Sequence, residues 1–232
     1  SEDDPESVIS RQLSYWTSAL ADLPELTELP TVRTRPEIAS NRGAEFAFEI
    51  DKDLADALSR YAATTESSLF MVMHAALAAW TARLSGGTDI AIGTPIAGRG
   101  EREFDDLVGM FVNTLALRVE VDPAGTFGEL LDRTRTSDLA AFSNADVPFE
   151  RLVEVLDPAR SQARHPLFQV ALTFQNFAWS SLTLPGLTVD GVETGARAAK
   201  FDLEFTVIEL DDDAQGGLLV DVNYATDLFD ES

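Results

Sequence analysis

The run from Leu69 to Leu84 is apolar on nearly every side, broken only by His74, Thr81 and Arg83. It is too long for a strand, and a helix apolar all round is stable only when other elements bury it. Gly86-Gly87 closes it, because glycine enters the left-handed conformation at a helix C-terminus without a Cβ clash. The 232 residues are enough to wrap a real core around such a helix. Everything else in the sequence has to supply that cover.

The periodicities on either side predict the covering elements. Leu13, Trp16 and Leu20 mark a helix over Glu6 to Ala21. Pro24, Pro30 and Pro36 then force an extended, irregular segment, since each lacks a donor and restricts its predecessor. Phe46, Phe48 and Ile50 alternate in a strand over 44–50, and a helix follows from about Asp51 to Ala63. Asp89 to Gly93 reads as a short strand, and Leu115, Leu117, Val119 and Val121 mark another. Thr126 and Glu129 form a capping box for a helix reaching about Phe142, and a second helix starts near Pro148.

The last third is mostly β. Phe168 to Phe174 reads as a strand, while Phe201, Leu203, Phe205 and Val207 alternate with polar neighbours, as do Leu218, Val220, Val222 and Tyr224. Asp211-Asp212-Asp213 and Gly216-Gly217 supply the turn of a terminal hairpin. Mixed helices and strands of this kind predict an α/β layered sandwich.

Composition narrows function mainly by exclusion. Lys+Arg number 17 against 40 Asp+Glu, a net charge of −23, which repels phosphate backbones and anionic lipid surfaces. No nucleic-acid or membrane partner is therefore expected. The chain has no cysteine, so disulfides, thiolate nucleophiles and Cys-ligated metals are excluded within it. No apolar run approaches the roughly 20 residues of a bilayer span, and the acidic opening is unlike a signal peptide, so a cytoplasmic location is expected.

The titratable inventory shows no self-contained catalytic constellation. His74 falls inside the buried helix and reads as a core histidine with a hydrogen-bond partner; His165, before Pro166, reads as a packing or turn residue. Two histidines so placed do not suit a metal site, and the Asp211-Asp212-Asp213 run reads as a solvated hairpin tip. No serine lies in a nucleophile elbow and no glycine loop cradles phosphate.

Several stretches carry a resemblance. Ile92-Gly93-Thr94-Pro95-Ile96-Ala97-Gly98-Arg99, with Val108-Gly109-Met110-Phe111-Val112-Asn113-Thr114-Leu115-Ala116-Leu117-Arg118, resembles the fifth core motif of condensation domains of nonribosomal peptide synthetases. Asn144 to Val153, containing Asp146-Val147-Pro148-Phe149-Glu150, resembles the sixth; Arg160 through Arg164-His165-Pro166-Leu167-Phe168 resembles the seventh. Gln12-Leu13-Ser14-Tyr15-Trp16 and Tyr224 to Asp230 also fit, in the expected order. Two positions depart: Asn144 stands where His is frequent, and Thr31 to Pro36 differs from the usual Asp-Arg-Pro-Arg-Pro, as drift in a loop would.

The resemblance implies a chloramphenicol-acetyltransferase-like two-layer sandwich, a mixed, largely antiparallel sheet packed by helices, forming one lobe of a two-lobed V. It implies peptide-bond formation between carrier-bound aminoacyl or peptidyl thioesters, as in antibiotic or siderophore biosynthesis. Donor and acceptor carrier domains would deliver phosphopantetheine arms, with no cofactor or metal bound directly. Further partners would be an N-terminal lobe and an adjacent adenylation domain. The family's His-His-x-x-x-Asp-Gly motif lies in that N-terminal lobe, and no adjacent His pair occurs in these 232 residues. The expectation is therefore a C-terminal lobe, inactive alone and, with an apolar lobe junction, inclined to self-associate.

Within 1–232 the resemblance implies an opening helix and Pro-rich loop (1–43), an α/β core (44–173), a latch-like segment (174–199) and a terminal β-hairpin (200–232). The latch-like segment is expected to be disordered or packed differently without its partner lobe. Asn113 is implied as a tunnel residue whose amide either serves the thioester or incoming amine or satisfies backbone where its strand begins. Arg99 and Arg118 would line the same tunnel and pair with carboxylates across the lobe junction, or stand as solvated strand-end charges, and Asp146 would cap the helix that begins near Pro148. Arg160 and Arg164 would meet a carrier phosphate, or serve the surface or an internal salt bridge. The alternatives are an epimerisation-type domain of the same superfamily and a non-catalytic lobe that docks carrier or tailoring proteins.

Overall fold

The computed structural model describes residues 4, 6–97, 107–175, 187, 197–210 and 216–230. The elements run α1 (Val8–Ala19), β1 (Gly43–Ile50), α2 (Lys52–Thr64), α3 (Leu69–Ser85), β2 (Asp89–Ile96), β3 (Asn113–Glu120), α4 (Phe127–Phe142), α5 (Phe149–Leu156), β4 (Val170–Gln175), β5 (Leu203–Glu209) and β6 (Leu218–Ala225). Their starts are set locally. Ser7, Asp51, Ser68 and Thr126 each accept from an amide of the first turn, and Thr126 with Glu129 completes the capping box. Gly86 ends α3 in the left-handed conformation at φ 71°. The strand expected to stop at Gly93 runs on to Ile96: Pro95 lies beyond the short parallel ladder to β4 and pairs with β3 alone.

The six strands form one mixed sheet in the order β1-β6-β5-β4-β2-β3. β4 is parallel to both β2 and β5, and the other pairs are antiparallel. The terminal hairpin thus sits between β4 and β1, inside the sheet rather than beside it. The tip at 211–215 and nearly all of the latch-like segment lie outside the described residues.

Register decides the two faces. Phe46 lies opposite Val222, Val222 opposite Phe205 and Phe205 opposite Leu172, so one face is apolar from β1 to β4. With Ile90, Ile92 and Val119 it packs on α2, α3 and α4 in the larger core, where Val72, Ala75 and Ala78 are inaccessible to water. The all-round apolar character of 69–84 is explained by that position. Among the described residues cover is incomplete over β1, β6 and β5, leaving an apolar groove of about 700 Å³ lined by Phe46, Phe48, Trp80, Leu84 and Phe205.

The opposite face divides in two. Over β2 and β3 it carries the small residues Ala91 and Ala116, onto which α1 and α5 bring Trp16, Leu20 and Leu152 in a second core. Over β5, β6 and β1 it carries Glu204, Asn223 and Glu45, which share one row across the strands. Burial raises the pKa of the Glu204 carboxyl. Among the described residues no helix is long and apolar enough to cross a membrane.

Candidate functional site

The fifth-motif, sixth-motif and opening stretches meet where β3 begins. Asn113 donates through Nδ2 to the carbonyls of Ala145 (2.9 Å) and Val147 (2.8 Å). Its Oδ1 accepts from the amides of Thr114 (2.8 Å) and Phe149 (3.0 Å). Two donors and two lone pairs are the whole capacity of a carboxamide, so the side chain is saturated by backbone. Of the two readings open from sequence, this geometry realises the backbone one.

From α1, Trp16 donates Nε1 to the carbonyl of Asn144 at 2.7 Å. Gln12 donates to Asp146 Oδ2 at 2.8 Å and accepts the Asp146 amide at 3.0 Å. Here one expectation is corrected: Asp146 does not cap α5. The N-cap is Pro148, with no side-chain cap of its own, and Asn113 takes the Phe149 amide instead. Asp146 is two residues too early and is turned toward Gln12.

The remaining predicted residues separate. Arg118 donates to Asp89 through Nε (2.8 Å) and Nη2 (2.6 Å), and through Nη1 to the carbonyls of Ala19 and Ala21. The hydrogen bond it donates to Asp89 is the main reason its pKa is raised. It ties the end of α1 to the β2-β3 hairpin, opposite Ala91, whereas Asn113 lies opposite Ile96 at the other end of β3. The structure does not bring the two together. Arg99 lies outside the described residues. Arg160 and Arg164 do share a cleft, of about 390 Å³, with Glu150, Val153 and Glu154 of α5; Arg164 also reaches Glu25 at 3.1 Å.

Both histidines have neighbours of the expected kind. His74 Nδ1 lies 3.0 Å from Asp138, and both side chains are fully buried between α3 and α4. His165 stacks on Phe149 at 5.4 Å and meets Phe168 at 4.5 Å and Phe201 at 4.9 Å. Burial, with Lys200 adding to it, lowers its pKa from the usual 6.5. The folded state then holds the imidazole neutral while the unfolded chain takes up a proton below 6.5, so stability falls as pH drops through that value. A His165→Phe variant is expected to unfold at a more nearly constant urea midpoint between about pH 7 and pH 5 than the parent. Parallel pH profiles for the two proteins would refute this.

The residues that sequence reasoning passed over are Gln12 and the two arginines of the Pro-rich loop. Gln12 is a polar residue on the buried side of α1, one turn before Trp16, and that placement was the available signal. Arg35 forms a two-pronged ion pair with Asp202 and also donates to Ala163 O. Arg33 donates to the carbonyls of Thr226 and Phe229. What resembled drift is the fastening of the opening segment to the rest of the chain. Among the described residues no group of three or more His, Cys, Asp or Glu is placed to hold a metal ion.

Known proteins agree with this picture. The family model of the condensation domain matches residues 4–232. The chain is 46% identical over its whole length to part of the nonribosomal peptide synthetase CymA of Salinispora arenicola, of which it spans 3%. It is also 46% identical, over 98% of its length, to part of a dimodular nonribosomal peptide synthase of Bacillus subtilis, of which it spans 10%. Among solved structures, the X-domain from teicoplanin biosynthesis superposes with a TM-score of 0.91 at 31% identity, covering 99% of this chain and 52% of that one. The first condensation domain of the CDA synthetase superposes at 0.75 with 19% identity, covering 97% and 48%, which shows the shared fold. The mixed sheet, the meeting of the motif stretches at Asn113 and these matches agree: the chain belongs to the condensation-domain family of nonribosomal peptide synthetases.

Proposed function

We propose that this chain is the C-terminal lobe of a condensation domain and forms peptide bonds between carrier-bound thioesters only together with an N-terminal lobe. The observation that carries this reading is coverage: nearly the whole chain aligns with about half of the teicoplanin X-domain (52%) and about half of the first condensation domain of the CDA synthetase (48%). The His-His-x-x-x-Asp-Gly motif is absent from these 232 residues, and neither His74 nor His165 offers a replacement base, since one is fully buried and the other is wedged among three phenylalanines. The lobe contributes one wall of the reaction chamber and the cleft with Arg160 and Arg164, whose guanidinium groups suit the phosphate of a carrier's arm. The apolar groove beside β1, uncovered among the described residues, is further support for work inside a larger assembly.

The test joins the upstream lobe to this chain and supplies aminoacyl donor and acceptor on carrier domains. Dipeptide formation that is lost when the histidine motif is altered supports the proposal. Turnover of aminoacyl thioesters by the 232-residue chain alone overturns it. A second reading, a lobe that docks a tailoring protein, is favoured by the likeness to the teicoplanin X-domain, which was solved in complex with OxyB. Carrier binding without any condensation in the joined protein would select that reading.

A further inference from the structure

We propose that Asn113, Gln12 and Trp16 form a clamp that sets the pose of α5, making Asn113 a positioning residue for the carrier-facing cleft. This rests on the proposed function for its substrate. The physical case rests on where the hydrogen bonds go. Every residue from 144 to 149 except Pro148 is tied: Asn144 through its carbonyl to Trp16, Ala145 and Val147 through theirs to Asn113, Asp146 through amide and carboxylate to Gln12, and Phe149 through its amide to Asn113. The ties come from two sides, α1 and β3, so they fix both the position and the tilt of the segment.

α5 depends on this clamp because it has little else at its start. It is 8 residues long and has no side-chain cap at Pro148. The amide at its first residue is satisfied by a side chain belonging to a strand, which substitutes for a local cap. A helix of that length is about 12 Å long, so a shift at the first turn moves the whole element. Its outer residues Glu150, Val153 and Glu154 form one wall of the cleft whose other wall carries Arg160 and Arg164. Phe149 passes the constraint on through its stack with His165, which adjoins Arg164 in sequence. With its amide saturated, Asn113 has nothing to offer a reacting thioester unless one of these bonds is given up.

The experiment compares acceptor and donor thioesters carried by carrier domains with the same aminoacyl groups on N-acetylcysteamine, a short thiol that needs no carrier docking. Both are measured in the two-lobed protein. Asn113→Ala is expected to raise KM for the carrier-borne substrate about tenfold, while the rate with the free thioester stays within about twofold of the parent. Gln12→Ala, which loosens the clamp from α1 and leaves β3 intact, is expected to act in the same direction. Equal losses of kcat on both substrates would place Asn113 at the reacting atoms and overturn the proposal, as would unchanged KM.

Should the parent itself make no dipeptide from either substrate, that result counts against the proposed function and leaves the clamp to a second measurement. In the 232-residue chain, hydrogen exchange of the α5 amides is expected to quicken in Asn113→Ala while those of α3 keep their protection. Unaltered α5 protection in both variants would refute the clamp.

Discussion

Gly93→Ala is expected to cost at least about 3 kcal/mol and to lower Tm by roughly 6–12 °C, at the upper end of what overpacking does. A Cβ built on Gly93 falls 1.9 Å from Phe168 Cε2, 2.2 Å from Cζ and 2.5 Å from Cδ2, deep inside van der Waals contact. The ring has no exit. It is 1% exposed and is bounded by Phe149, His165 and Phe201 at centroid distances of 5.8, 4.5 and 5.4 Å. Backbone holds it there too, since Leu167 adopts a left-handed φ of 69° and the Phe168 amide bonds to Pro166 O at 2.9 Å. The pair is therefore coupled. Phe168→Ala alone is expected to cost about 3–5 kcal/mol as a cavity. The double variant, in which the new methyl enters space the ring has left, is expected to cost clearly less than the two losses added. A Gly93→Ala protein melting within about 2 °C of the parent would show that the ring can move and would sink this account.

The contrast between what could and could not be read from sequence follows from sequence separation. The ends of α3 are written locally, in Ser68 and in the left-handed Gly86, and the capping box of α4 spans only Thr126 to Glu129. The alternation in β1, β5 and β6 likewise announces one apolar face, because a strand places every second side chain on the same side. Alternation does not say what covers that face, and among the described residues the groove beside Trp80 is left open. The site is the opposite case. Gln12 meets Asp146 134 positions away, and Asn113 reaches the Phe149 amide across 36. Nothing near Pro148 announces that its helix is capped from a strand, so Asp146 reads as the obvious local cap. The resemblance named the motif residues, yet only the fold shows that several of them spend their polar groups on one another.

Arg35→Ala is expected to destabilise the chain by about 3–5 kcal/mol, because it strands a buried carboxylate rather than merely deleting a contact. The guanidinium donates through Nη1 to Asp202 Oδ1 at 2.8 Å and through Nη2 to Oδ2, with a further bond from Nη1 to Ala163 O at 3.2 Å. The two side chains are 20% and 6% exposed, so little water is available to replace either partner. Asp202 is also fixed by its backbone, which donates to Gln169 O at 2.9 Å and accepts from the Ala225 amide at 3.0 Å. It thus stands where β4 and β5 begin and β6 ends. The carboxylate cannot swing out to solvent without opening that junction. Arg35→Lys is expected to recover only part of the loss, since an ammonium cannot match both oxygens in one plane. The partner left behind is what makes the single change costly, so Arg35→Met combined with Asp202→Leu is expected to be markedly more stable than Arg35→Ala. Arg33, whose side chain is 50% exposed in its pair with Asp230, is the internal control, and Arg33→Ala is expected to stay within about 1 kcal/mol of the parent. Urea unfolding at neutral pH reads all four variants as shifts of midpoint at constant slope. An Arg35→Ala midpoint no lower than that of Arg33→Ala would mean that Asp202 finds water or another donor, and the opening segment would then be fastened by something other than this pair.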